Sequence, residues 1–170
     1  MRLLDIGCFN GDSVLHFASN NSYDEIIAFD PNYSFTELWQ AISKRYPHVT
    51  FYNGAAYTHN GTVKYTQRPE NAPLGSTINQ DKNDWGAGEV FDVPCYDILE
   101  FIVPDTAVKL DGEGSEFDIL EHIINNDYLK YIPIFYLEWH ASKMKSGNYS
   151  ERQQKIEAIL KQEGKKVIGW

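Results

Sequence analysis

Short apolar runs alternate with longer amphipathic stretches along this chain, and that alternation restricts its fold more than any other feature. Residues 2–6, 25–29, 49–52, 107–110, 132–137 and 165–170 read as strands. Between them, residues 11–19, 34–46, 115–124 and 150–162 read as helices. In the stretch 34–46, Phe35, Leu38, Trp39, Ile42 and Tyr46 fall at helical spacing, with Ser34 as N-cap and Glu37 completing a capping box. Ser150 is the corresponding N-cap of the last helix. Strands that alternate with helices connect through right-handed crossovers. The expected fold is therefore α/β: a doubly wound, mostly parallel, Rossmann-like sheet in one domain over residues 1–170.

Residues 58–95 break this rhythm. Residues 61–66 alternate with period two after the turn signal His59-Asn60-Gly61, which predicts a β-hairpin. Residues 68–89 are rich in Asn, Gly, Asp and Pro and predict a long excursion over the surface. A loop of that length in a compact domain is more often functional than idle.

Composition removes several classes of partner. The formal charge is −9, whereas binding to a phosphate backbone needs a basic surface that displaces counterions. The basic clusters at 143–145 and 161–166 read as solvated surface, so nucleic acid is not expected as a partner. No apolar run approaches the roughly 18–20 residues that span a bilayer, and the N-terminus lacks a signal-peptide pattern. Cys8 and Cys95 are too few for a disulfide framework and lack metal-ligand spacing. A cytoplasmic protein without membrane attachment is expected.

In an open α/β sheet, ligands sit beyond the carboxyl ends of the strands at the point where strand order reverses. The first strand runs into Gly7-Cys8-Phe9-Asn10-Gly11-Asp12-Ser13. Gly7 permits a tight turn and Gly11 opens the next helix, a spacing wider than the G-x-G-x-x-G of a dinucleotide site. Such a loop suits a ligand whose amino-acid end lies along it. The second strand ends in Asp30-Pro31, and a carboxylate there can accept hydrogen bonds from both hydroxyls of a ribose. The fourth strand delivers Asp111 and Glu113; the fifth ends in Glu138-Trp139-His140. Alternation puts Glu138 and His140 on one face, so Asp111, Glu113, Glu138 and His140 are expected to converge. His140 can act as a general base oriented by a carboxylate. These residue types also permit a divalent metal, but no ligand spacing demands one.

Taken in order, these segments resemble the FkbM family of S-adenosylmethionine (SAM)-dependent methyltransferases over most of the chain. The shared stretches are residues 4–13, 28–32, 53–56 with Asn60-Gly61, 75–78 and 93–99. The most specific is Lys109-Leu110-Asp111-Gly112-Glu113-Gly114-Ser115-Glu116, followed by Leu137-Glu138-Trp139-His140. The resemblance implies a class I methyltransferase fold, SAM as cofactor, and O-methylation of a sugar or small-molecule hydroxyl. It puts Asp5, Gly7, Asn10, Gly11, Asp12 and Ser13 around the methionine part of SAM. Asp30, with Pro31 beside it, falls on the ribose, and Ala56 lies close to the adenine. Asp111 falls beside the transferred methyl, leaving Asp111, Glu138 and His140 as candidate catalytic residues.

Departures from the family pattern stand out. Asp30 stands where Glu is more usual, and Gly112 where an aliphatic residue is common. Neither the family's helix before the first strand nor the usual last strand of its sheet is expected. An uncovered edge invites pairing, so a homodimer or a partner chain at that edge is expected. The acceptor is expected to be a small molecule or glycan, with the 68–89 excursion and its Trp85 forming part of the pocket or lid, and Trp85 and Trp139 as candidates to stack on a sugar. A non-catalytic SAM-fold binding or interaction module is the alternative. A nicotinamide dehydrogenase has the wrong glycine spacing.

Overall fold

Parallel strands buried on both faces need near-continuous apolar sequence, and the inner strands of this chain come close to it. The computed structural model describes residues 1–20, 22–69, 75–82 and 88–170. The first half is β1 (Arg2–Ile6), α1 (Asp12–Ser19), β2 (Glu25–Asp30), α2 (Thr36–Arg45) and β3 (Val49–Asn53). A small three-stranded unit follows: β4 (Ala55–Tyr57), β5 (Gly61–Gln67) and β6 (Glu89–Asp97). The second half is β7 (Thr106–Leu110), α3 (Glu116–Asn125), β8 (Ile134–Leu137), α4 (Tyr149–Gln162) and β9 (Lys166–Gly169).

The main sheet has six strands, all parallel, in the order β3-β2-β1-β7-β8-β9. Strand order reverses between β1 and β7. Alternation decides which helices cover which face. Leu3, Ile26, Ala28 and Ala107 pack with Val14, Phe17, Trp39 and Ile42 of α1 and α2. Leu4, Ile6, Val108, Leu110, Phe135 and Leu137 pack with Phe117, Leu120, Ile156 and Leu160 of α3 and α4. The small sheet joins this second core through Ala56, and the 3-10 turn after β6 joins it through Ile98.

Register then sets the functional edge. Ile6 pairs with both Phe29 and Leu110, and Leu110 pairs with Leu137. The next residue along each chain is Gly7, Asp30, Asp111 and Glu138, so one edge of the sheet presents all four. No helix among the described residues is long and apolar enough to cross a membrane.

Three local expectations change. The helix expected from Ser34 begins at Thr36, after a 3-10 turn at Tyr33–Phe35, and the cap is Asn32, whose side chain accepts from Ser34 N–H. The Asn32 side chain, two residues upstream, takes the Ser34 N–H that the capping box assigned to the Glu37 side chain. Likewise α4 starts at Tyr149, with no side-chain cap from Ser150. In the small unit, β5 is a strand as read, but its antiparallel partner is β6, beyond the excursion, while β4 joins β6 in parallel.

Candidate functional site

The turn after β1 is held by two neighbours. Gly7 and Cys8 N–H both donate to Phe29 O, at 3.0 and 3.2 Å. Gly7 has φ +74°, and a Cβ there would lie 1.9 Å from the Asp111 carbonyl oxygen. Only glycine lets the loops after β1 and β7 press together in this way. Lys109, buried between them, donates to Gly7 O at 2.8 Å and lies 3.2 Å from Asp5 Oδ1. Asp5, fully buried, also accepts from Ser13 Oγ at 2.6 Å. Gly11, at φ +88°, starts α1 against Ile42 and Trp39 of α2. Asp5 and Gly11 thus build the loop from beneath.

A cavity of about 160 Å³ opens at the reversal point. Phe29, Pro31, Ala55, Ala56 and Ile78 give it apolar walls; Asp30 and Asp111 face it from either side of Gly7; Gly75, Ser76 and Thr77 close one side. Across Gly7 and Phe9 it adjoins an open groove of about 330 Å³ lined by Asn10, Asp12, Ser13, Lys109 and Asp111. Together the two reach the ~300–1,000 Å³ usual for small-ligand sites. The predicted loop and strand-end residues therefore divide between two adjoining spaces, with Asp111 bordering both.

Backbone strain marks the same place. Phe9 and Glu113 have φ of 46° and 50°, a conformation that costs a non-glycine residue on the order of 1–3 kcal/mol. Phe9 is pinned there by its N–H on Asp30 Oδ2, at 2.9 Å, and by Trp39 Nε1 on its carbonyl, also at 2.9 Å. Asp30 Oδ1 accepts from Asn32 N–H at 2.9 Å. Burial pushes the Asp30 carboxyl up to about 6, against the pull of these two backbone donors.

At the other side the four residues expected to converge do so. His140 Nε2 lies 3.3 Å from Glu138 Oε1, 3.5 Å from Glu113 Oε2 and 3.8 Å from Asp111 Oδ1. Burial alone would lower the His140 pKa; the carboxylates of Glu116 and Glu113 reverse that and hold it above the ordinary value. Burial pushes Asp111 up to about 6, with Lys109 opposing. Burial would also raise Glu113, but His140 and Lys82 hold it below the usual range. Asp111, Glu113 and His140 each offer a ligand atom within 4.8 Å of the others, so this trio can hold a metal ion. His140 is buried and does not line the cavity; Asp111 does.

Three contributors escaped the sequence reading of the site. Glu116, fully buried, accepts from Gly114 N–H and His140 N–H, both at 2.8 Å, and so ties the β7–α3 turn to the end of β8. The sequence showed it only as the last letter of a motif. Lys82 pairs with Glu113 and donates to Gly75 O, while Lys143, read as solvated surface, lies 3.2 Å from Glu113. Residues 75–82 also reach the turn through Thr77 Oγ1 on Glu113 O and Asn79 Nδ2 on Gly114 O. Part of the excursion therefore does wall the cavity; Trp85 lies outside the described residues. Trp139 packs on Phe117 at 5.4 Å between ring centroids, on the core side.

The chain matches no family model and no curated protein. Among solved structures it is similar to that of the methyltransferase FkbM from Methylobacillus flagellatus KT, with a TM-score of 0.57 and 15% identity. The match covers 93% of this chain and 37% of that one, so this chain spans little more than a third of that protein's length. The shared property is the fold, an α/β Rossmann-like fold also used by a methyltransferase.

Proposed function

We propose that this chain belongs with the FkbM-type methyltransferases, binds SAM at the strand ends, and methylates a hydroxyl oxygen of a sugar or other small-molecule acceptor. The observation that carries this reading is the cavity with Asp30 and Asp111 on either side of the Gly7 turn. Its residues fit the cofactor. Asp30 gives each carboxylate oxygen to one backbone donor and keeps lone pairs for ribose hydroxyls. Phe29, Ala56 and Ile78 suit an adenine face, and the groove at Asn10, Asp12 and Ser13 suits a polar amino-acid end.

When bound, the cofactor supplies a methyl group on a positively charged, already activated sulfur. The chain's own work is then alignment and proton removal. Asp111, which borders both spaces, takes the proton of the acceptor hydroxyl. His140 and Glu138 stand on the Asp111 side of the site, and Lys109 keeps the two strand-end loops in register. The wall formed by residues 75–78 excludes water from one side of the cavity.

Calorimetry with S-adenosylhomocysteine tests the binding, with one site per chain expected. Transfer of labelled methyl from SAM to a panel of sugars and alcohols tests the reaction. Folded protein that ignores S-adenosylhomocysteine removes the proposal. Binding without transfer to any acceptor favours the non-catalytic binding module instead.

A further inference from the structure

We propose that His140, Asp111 and Glu113, with Glu138 at the rim, form a divalent-cation site of the kind that takes Mn²⁺. The His140 side chain is 1% exposed and aimed at three carboxylates, yet neither ring nitrogen makes a hydrogen bond. Buried polar atoms are rarely left so, and those that are call for an explanation.

The spacing supplies one. The three Nε2-to-oxygen distances, 3.3, 3.5 and 3.8 Å, are long for hydrogen bonds. Two atoms that each sit about 2.1 Å from a shared cation lie roughly 3.0–3.4 Å apart, the edge of an octahedron or a tetrahedron. The two shorter separations are near those edges, and the ligand atoms of Asp111, Glu113 and His140 all lie within 4.8 Å of one another, so a cation would draw Asp111 inward. The far side of the ring fits as well. His140 Nδ1 faces Glu116 Oε1 at 3.3 Å, and a carboxylate behind the second nitrogen is the usual partner of a metal-bound imidazole. One imidazole with two or three carboxylate oxygens is a hard-to-borderline donor set, which suits Mn²⁺ better than a thiolate-seeking metal.

The rival occupant is a proton. An imidazolium at His140, with Lys82 and Lys143 on Glu113, would balance the same carboxylates without any metal. A cation would take the place of that proton and draw Glu113 away from the lysines. Because Asp111 also borders the cavity, the bound ion would face the acceptor oxygen; that consequence rests on the methyl-transfer reading, whereas the cation site itself does not.

The test is titration of chelator-treated protein with MnCl₂ in the absence of any SAM analogue, following free Mn²⁺ by electron paramagnetic resonance. One Mn²⁺ per chain is expected, with nitrogen modulation from one imidazole in the pulsed spectrum. His140→Gln and Glu113→Gln should each weaken binding about 10- to 100-fold or more, and His140→Gln should erase the nitrogen signal. Asp118→Asn, in a separate ion pair, should change nothing. Melting curves establish which variants fold, and the part-exposed Glu113→Gln keeps the proposal testable if His140→Gln does not. Absence of stoichiometric binding, binding indifferent to the variants that fold, or a bound ion without nitrogen modulation overturns it and leaves the protonated histidine. Either outcome leaves the S-adenosylhomocysteine result independent.

Discussion

Two clusters of charge lean on α3, and they are built on opposite plans. At the first, Arg152 Nη2 meets Asp118 Oδ1 at 2.6 Å and Glu121 Oε2 at 2.8 Å, while its Nε meets Glu121 Oε1 at 2.8 Å. Tyr57 completes the set by donating to Asp118 Oδ2, and the guanidinium lies over the Phe117 and Tyr149 rings. At the second, beside Glu116 at the helix start, the His140 ring stands near four carboxylates and is aligned with none. A cluster whose bonds are complete holds structure together. One whose bonds are incomplete, next to a cavity, is arranged around something else.

The largest expected effect belongs to the second cluster. Asp111→Asn should lower kcat for labelled methyl transfer at least about 100-fold, the scale of a lost general base, while S-adenosylhomocysteine affinity stays within about threefold. Parallel loss of affinity would make Asp111 a binding residue and move the proton acceptor elsewhere.

Asp30 stands between the two plans: buried, with one backbone donor on each oxygen, yet lining the cavity. Burial raises its carboxyl to about 6 in the free protein, so it gains a proton as pH falls through that value. If the carboxylate form accepts the ribose hydroxyls, S-adenosylhomocysteine affinity should be level above pH 6 and fall about tenfold per unit below it. Asp30→Asn should bind more weakly with a flat profile. A profile for the native chain that is flat between pH 5 and 7 would show that Asp30 does not grip the ligand.

The sequence and the structure agree where both faces of a strand are buried. Arg2–Ile6 and Thr106–Leu110 are nearly all buried and read as short apolar runs, interrupted by the charges of Asp5 and Lys109. Their ends could then be placed, which is why Gly7, Asp30, Asp111 and the Glu138–His140 pair were legible. What was not legible depends on long-range packing. Nothing in the alternation of β5 says that its partner lies beyond residue 88, because a period of two specifies a face and not a neighbour. Lys82 and Lys143 sit in loops, where no periodicity marks the side chains that turn inward. Asp5 was read as part of a ligand loop, but from beneath that loop it holds Ser13 and Lys109. Both roles draw on the same letters, and only burial separates them.

A smaller effect should follow from breaking the satisfied cluster. Arg152→Ala removes three hydrogen bonds and the ring contacts, but Asp118 and Glu121 remain partly exposed and can recover water. The expected cost is about 1–2 kcal/mol in a denaturant melt, with S-adenosylhomocysteine and Mn²⁺ binding unchanged. Loss of either ligand would mean that α3 couples the two clusters.

The smallest effect should come from the other histidine that faces a carboxylate. His122 Nε2 lies 3.0 Å from Asp97 Oδ1, and Asn126 Nδ2 lies 3.3 Å from His122 Nδ1, so both ring nitrogens have partners. Asp97 Oδ1 also accepts from Leu99 N–H and keeps that bond if the ring is removed. His122→Gln should therefore cost less than about 1 kcal/mol and leave Mn²⁺ binding intact. Acidic residues lie close to both His122 and His140 along the chain, but only His140 stands at a strand end, where the sequence places a ligand. The difference lies in whether the ring nitrogens are already spoken for, and the pair of substitutions measures it. Equal effects on Mn²⁺ binding would show that unmet hydrogen bonds around His140 carry no information about a ligand.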